Sequence, residues 1–356
     1  YPDRIVLGQS AALEGPAAAL GRDLNLGILA AFAEANRAGG VHGRRLELIS
    51  RDDGYEPTRA IANTHELLDQ HKVFALIGQV GTPTARAVVP IAEQQGVPFL
   101  APFTGAGFLR NPDLSSVINV RASYEAEAEK GIGYLVDQLG LDRVAVLFQD
   151  DTFGRDGLAA VERALLRRNL ELAGDATYQR NTVAVKRAAL DLRALKPEAV
   201  FIIGAYAPAA EFILLCRQIG FAPRFMTLSF VGSSALAEAL GSNGKDVLIT
   251  QVMPLFTDNR HPLVQRFNTA LPEYDSEAKV NFVVLEGYAA GRLVVTALEA
   301  AGPEVTRQGF LELLRSGRMA DLDGMPLRFG IDSNQGSSEV FLTEIRADGS
   351  FIEVGQ

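Results

Sequence analysis

VFALIGQVGTPTARAVVPIAEQQGVPFLAPFTGAG, residues 73–107, decides the fold. Val73–Ile77 is a continuous apolar run of strand length, and it ends in a loop rich in Gly and Thr, 78–84. Pro83 suits the opening of a helix, where its missing N–H costs nothing. Pro90 lies inside the helical pattern and is expected to kink or shorten it. A second buried-type strand, Val97–Ala101, follows and again ends in a Gly- and Thr-containing loop, 101–107. This strand–helix–strand unit belongs to a parallel sheet covered by helices.

The same alternation extends outward in both directions. Ile5–Gly8 reads as a strand. It precedes a helix whose Leu24, Ile28, Ala31 and Ala35 share one face and which stops at Gly39-Gly40. Arg45–Ile49 is a strand and 58–69 a helix. After residue 120, helices at 125–139, 157–168, 183–195, 208–219 and 233–240 alternate with strands at 143–148, 171–178, 199–203, 225–228 and 247–252. Helices at 262–271, 282–301 and 306–315 come next, and strands near 327–329, 340–346 and 351–354 close the chain. These units are too many for one compact sheet. The expected fold is α/β, with two doubly wound parallel-sheet lobes, the helix-rich stretch after 254 returning to complete the first.

Length agrees, since 356 residues fit two domains and 47% hydrophobic residues fill two cores. No apolar run approaches the ~18 residues of a membrane span. The net charge of -9 comes without a Lys/Arg cluster, so nucleic acid is not an expected partner; Arg167-Arg168 reads as a solvated helix end. The single cysteine, Cys216, permits no internal disulfide and no Cys-based metal site. YPDRIVLGQ reads as the start of a strand, not as a signal peptide, and a secreted protein would have lost such a segment.

A search for catalysis returns little. GQSAALEGPAAALG after the first strand and GAGFLR at 105–110 lack dinucleotide spacing, and neither a P-loop nor a G-x-S-x-G elbow is present. His65 and His71 are six apart, off a common helix face, and only four histidines exist. Asp52-Asp53 and Asp150-Asp151 each follow a strand and precede a helix, where capping and loop turns account for them. No cofactor, metal or catalytic residue is expected.

Ligands of doubly wound sheets sit beyond the carboxyl ends of the strands. In the first lobe those loops carry Gln79, Gly81 and Thr82, then Phe103, Thr104 and Gly105; amides at a helix start and Thr hydroxyls suit a carboxylate. In the second lobe they carry Phe153, Tyr206, Ser229 and Phe230. Aromatic loop tips suit either a ligand wall or core packing.

LEGPAAALG (13–21), EANRAGGVHGRRLELISRDDGYEP (34–57), LIGQVGTPTARAVVPIAEQQGVPFLAPFTGA (76–106), FQDDTFGRDGL (148–158) and LEGYAAGRL (285–293) together resemble the type I periplasmic binding proteins, specifically the branched-chain amino-acid group that feeds ABC importers. The resemblance spans essentially the whole chain. It implies two lobes joined by a three-segment hinge, 1–120 plus 252–328 and 121–251 plus 329–356, closing on one ligand. It implies that Gly81-Thr82, with Phe103, Thr104 and Gly105, holds the ligand α-carboxylate. By the same likeness Leu20, Phe153 and Tyr206 set side-chain specificity. Leucine-type members pair the α-ammonium with an acid where this chain has Ser229. Glu286 or Glu14 is then expected to supply the carboxylate, unless the ligand has no amino group. The family's cysteine pair is replaced by Tyr55 and Gly81.

The reading is a periplasmic receptor for an amino acid or related small carboxylate, aromatic ones included. Its partners would be that ligand and an inner-membrane ABC permease, and a monomer is expected. A ligand-sensing domain of a receptor or regulator is the alternative, and an α/β enzyme relying on the Asp pairs and Glu286 the third.

Overall fold

A computed structural model describes residues 3–355. The chain divides into two compact units. The first comprises 1–104, 108–122 and 253–338, and the second 105–107, 123–252 and 339–356.

The first unit is built on a five-stranded, wholly parallel sheet. Its strands are β1 (Arg4–Ala11), β2 (Arg45–Asp52), β3 (Ala75–Ile77), β4 (Phe99–Leu100) and β5 (Val117–Ile118), in the order β2-β1-β3-β4-β5. The order reverses between β1 and β3, which is the switch point of a doubly wound sheet. Helices α1 (Ala18–Arg37), α2 (Pro57–His65, continued by a π turn over 66–70) and α3 (Thr82–Gln95) are the crossovers. Leu24, Ile28, Ala31 and Ala35 are all buried, as their spacing predicts. The chain then leaves the helix through Gly39 and Gly40 at φ +101° and +76°, where Gly40 N–H reaches back to the Ala35 carbonyl at 2.9 Å.

Of the two outcomes expected of Pro90, a kink or a shorter α3, the second does not occur. The helix runs on to Gln95 because Pro90 lies on its exposed face, where water can satisfy the carbonyl it frees, while Val88, Val89 and Ala92 stay buried.

In the second unit α4 (Tyr124–Gly133, continued by a π turn over 134–138) precedes β6 (Val144–Gln149) and α5 (Thr152–Leu166). Next come β7 (Gly174–Tyr178), α6 (Lys186–Leu195), β8 (Ala199–Ile203), α7 (Tyr206–Gln218), β9 (Arg224–Thr227), α8 (Ser233–Leu240) and β10 (Leu248–Gln251). β7-β6-β8-β9-β10 are parallel. β8 is buried throughout, the all-apolar signature of a central parallel strand. Arg167 and Arg168 do more than end a helix: they tie α5 to α4 through Glu125, Glu129 and Asp137, in pairs exposed enough to contribute at most about 1 kcal/mol each.

The chain after 252 returns to the first unit as α9 (Pro262–Tyr274), α10 (Phe282–Ala301) and α11 (Arg307–Arg315). α10 is buried almost all round, as a helix apolar on every face must be. It packs on α1 at a glycine seam, since a Cβ on Gly27 would overlap the Val284 carbonyl and one on Gly287 the Leu24 carbonyl. A hairpin of β11 (Asp321–Leu322) and β12 (Met325–Pro326) follows. The strand expected at 327–329 is absent and that segment is irregular. Residues 329–338 also belong to the first unit, not the second. Asn334 accepts from the Asn119 amide at 2.8 Å, and Ser337 N–H reaches Val120 O at 2.9 Å. β13 (Phe341–Ile345) and β14 (Phe351–Glu353) then add antiparallel to the second sheet beside β10.

Candidate functional site

In the first unit the two strand-end loops after β3 and β4 are laced together. Gly81 N–H donates to Phe103 O at 3.1 Å, and Phe103 N–H to Gln79 O at 2.8 Å. The buried hydroxyls of Thr82 and Thr104 meet at 2.7 Å. Thr82 opens α3, and Gly81 is its N-cap at φ +94°. The first turn therefore presents the amides of Thr82 and Thr84 beside two hydroxyls, Pro83 having none. Arg110 secures the second loop from behind, its Nη1 donating to Thr104 O at 2.9 Å. Gln79, Gly81, Thr82, Phe103 and Thr104 are thus one cluster.

Beneath it lies a carboxylate that the sequence reading gave to a turn. Asp52 does hold a loop: its Oδ1 accepts from Leu13 N (2.8 Å), Glu14 N (3.0 Å) and Gly54 N (3.1 Å). Burial pushes its carboxyl up, but those amides and Arg59 outweigh that and hold it low. Asp53 is wholly buried and serves the cluster. It accepts from Ser10 Oγ at 2.8 Å, Gln79 Nε2 at 3.0 Å and Tyr55 N at 2.8 Å. Neither acid caps α2, whose N-cap is Glu56. The Tyr55 ring lies against Gly81, in the space a Cβ there would occupy.

Burial pushes the Asp53 carboxyl up from 3.8 to about 6, against the pull of Ser10, Tyr55 and Gln79 and helped by Asp52. Between those values the folded chain keeps a proton that the unfolded chain has released. Stability should therefore fall as pH rises from about 4 to 6 and level off above, by roughly 3 kcal/mol. Urea unfolding across this range, compared with Asp53→Asn, isolates the effect: the variant should gain relative to wild type as pH rises. A constant difference would refute it.

Arg121 and Glu286 form a buried pair, Nε to Oε1 at 3.5 Å, with side chains 1% and 9% exposed. The Arg121 guanidinium also lies over the Phe103 ring, 4.6 Å from its centroid. Glu286 therefore already faces a cation, and Glu14, the other proposed ammonium partner, is exposed at the chain surface. Leu20 is buried in the first turn of α1, where its N–H donates to Ala17 O at 3.1 Å.

The second unit carries an aromatic stack. Phe153 lies between Tyr124 (centroids 5.5 Å apart) and Phe230 (4.4 Å). It is positioned by Asp151, which caps α5 by accepting from Phe153 N at 2.9 Å, as expected of an Asp before a helix. Gly105 joins this unit, its carbonyl accepting from Tyr124 N at 2.8 Å. Tyr206, half-buried at the start of α7, packs against the second unit's core. Ser229 is bonded through both N–H and hydroxyl to Glu127, at 2.8 and 3.0 Å.

Tyr55, Arg121, Tyr124 and Glu127 were not picked out as site residues from sequence. Only Tyr55 carried a signal, as one of two positions where the family has cysteine. Among the described residues no His, Cys, Asp and Glu group is placed to hold a metal, and no helix is long and apolar enough to cross a membrane.

Comparison with known proteins matches this architecture. The family model described as periplasmic binding protein matches residues 4–350. A possible leucine/isoleucine/valine-binding protein from Rhodopirellula baltica has a solved structure that superposes with a TM-score of 0.94. It is 37% identical, and the match covers 99% of this chain and 97% of that one. A substrate-binding periplasmic protein from Ralstonia solanacearum superposes with a TM-score of 0.93 at 28% identity, over 98% and 100% of the two chains. An amino acid binding protein from Pseudomonas aeruginosa is 25% identical over 80% of this chain and 77% of its own length. The chain belongs to the periplasmic binding protein family.

Proposed function

We propose that the chain is the periplasmic substrate-binding receptor of an ABC importer, that it closes its two lobes on one amino acid or related small carboxylate, and that it makes and breaks no bonds. The observation that carries this reading is the Thr82–Thr104 hydroxyl pair at the N-terminus of α3, beyond the carboxyl ends of two parallel strands. A ligand carboxylate there would compete as acceptor for the hydroxyl protons and first-turn amides. Bonds to a charged group contribute about 1.5–3 kcal/mol each, and the helix end adds about 0.3–1 kcal/mol. The relatives named for binding amino acids support the ligand class. The partner is an inner-membrane permease reading the closed form, and the receptor is a monomer.

Calorimetry over amino acids and aliphatic or aromatic carboxylates tests the reading, and silence across the panel would sink it. In the double variant T82A/T104A the affinity for whichever carboxylate binds should fall by roughly a hundredfold or more, two charge-assisted bonds being lost. Unchanged affinity would remove both residues from the site. Recovery of the bound compound unaltered after overnight incubation is expected of a receptor; turnover would reinstate an enzyme.

A further inference from the structure

Resting on that reading, we propose that Asp53 is a positioning residue that decides which end of the Gln79 side-chain amide faces the ligand, so that the receptor takes up a proton with its ligand and holds carboxylates more tightly in acid. Gln79 stands two residues before Gly81, in the loop that carries Thr82, and its side chain is tied to Asp53, which is 0% exposed.

Three donors meet the Asp53 carboxylate. Ser10 Oγ and Gln79 Nε2 approach its Oδ2 at 2.8 and 3.0 Å, and Tyr55 N approaches its Oδ1 at 2.8 Å. Two of the three cannot change role. Tyr55 uses a main-chain N–H, which only donates. Ser10 Oγ accepts from Asn63 Nδ2 at 3.1 Å, and that nitrogen is fixed as a donor by the Asp52 carbonyl, 3.0 Å away. The Ser10 proton is therefore committed to Asp53. Gln79 alone can change role, because turning its amide puts oxygen where nitrogen was. Its Oε1 bonds to nothing among the described residues and is not sealed from solvent.

With Asp53 ionised, Nε2 must face the acid, and the amide offers Oε1 outward, an acceptor that repels a carboxylate. With Asp53 protonated at Oδ2, the acid donates to Oε1 and still accepts from Ser10. The amide then turns and offers its Nε2 protons outward, where a carboxylate can accept them. A ligand that favours the turned amide favours the protonated acid, so binding draws a proton from water. The charged groups about Asp53 are Asp52, which favours protonation, and Arg59 of α2, whose guanidinium bonds Asp52 and not Asp53. Burial, which lifts the Asp53 carboxyl to about 6, places the changeover near that pH.

The test titrates L-leucine and phenylacetate into the full chain by calorimetry from about pH 5.5 to 7.5, where both carboxyls are ionised, in phosphate and in imidazole buffer. The affinity of whichever probe binds should fall roughly tenfold or more as pH rises, one charge-assisted bond being exchanged for an unfavourable contact. The difference in heat between the buffers should report uptake of about half a proton per ligand near pH 6.5. In D53N the new side-chain amide donates to Gln79 Oε1 at every pH. That variant should keep the low-pH affinity throughout and take up no proton. Q79L should flatten the profile as well, and it serves if D53N does not fold. A profile that stays steep in Q79L would mean that the Asp53 charge acts on the ligand directly, and would overturn the role of the amide. Binding by the wild type that is independent of pH and of buffer overturns the Asp53 role and leaves the receptor reading standing. Silence from both probes and from the whole carboxylate panel at every pH overturns both.

Discussion

Gly81→Ala should lower stability by roughly 2–6 kcal/mol and abolish carboxylate binding. Two effects add at this position. The backbone sits at φ +94°, where a side chain is strained by about 1–3 kcal/mol. The new methyl would also overlap the Tyr55 ring, and overpacking of that kind costs a further 1–3 kcal/mol. Tyr55 has little room to retreat. It is itself at φ +63°, and its amide is held by the buried Asp53. The two costs separate in a double-mutant cycle read by urea unfolding. On a Tyr55→Ala background only the backbone strain should remain. An equal loss in both backgrounds would show that Gly81 is not making room for the ring. The contact matters because Gly81 N–H is one of the bonds joining the two loops that carry Thr82 and Thr104.

Arg121→Ala should cost about 3–5 kcal/mol, because it leaves the Glu286 carboxylate buried without its cation. It also strips the guanidinium from the face of Phe103, loosening the loop that holds Thr104. The double replacement R121M/E286L, which removes both charges and keeps the volume, should recover most of that loss. Thermal or urea unfolding of the two variants decides it: if the double variant is as unstable as R121A, the damage comes from lost packing and not from the stranded charge.

The sequence made the sheets legible where patterning was strong. Val73–Ile77, Ala199–Ile203 and the Leu24-Ile28-Ala31-Ala35 face lie where their periods put them, because burial on one or both faces writes itself directly into residue type. Pro90 does not shorten its helix because it falls on the exposed face, and which face of α3 meets water is decided by the fold and not by the proline itself. The strand expected at 327–329 fails for a similar reason, its apolar residues being buried without a ladder. Gln79, Gly81, Thr82, Phe103 and Thr104 were readable as strand-end loops and come together as one cluster. Asp53 was visible but indistinguishable from its neighbour Asp52: both stand where β2 ends, and only tertiary contacts bury Asp53 against Ser10 and Gln79. Glu127 was invisible: one acid among several on a helix, it is singled out only by Ser229 and Thr250, which approach it from more than 100 residues away.

The return of the chain to α10 has a consequence for synthesis. While the ribosome is still translating the middle of the message, the Gly27 groove of α1 has emerged with nothing to fill it, because Gly287 and Gly291 have not yet been made. The other half is incomplete at that stage too, since β13 and β14 are made only after α10. A product released at an early stop could therefore complete only the cluster that runs from Val6 to Val117, with the α1 face of its sheet left uncovered, and such fragments are material for chaperones and proteases rather than half-active receptors.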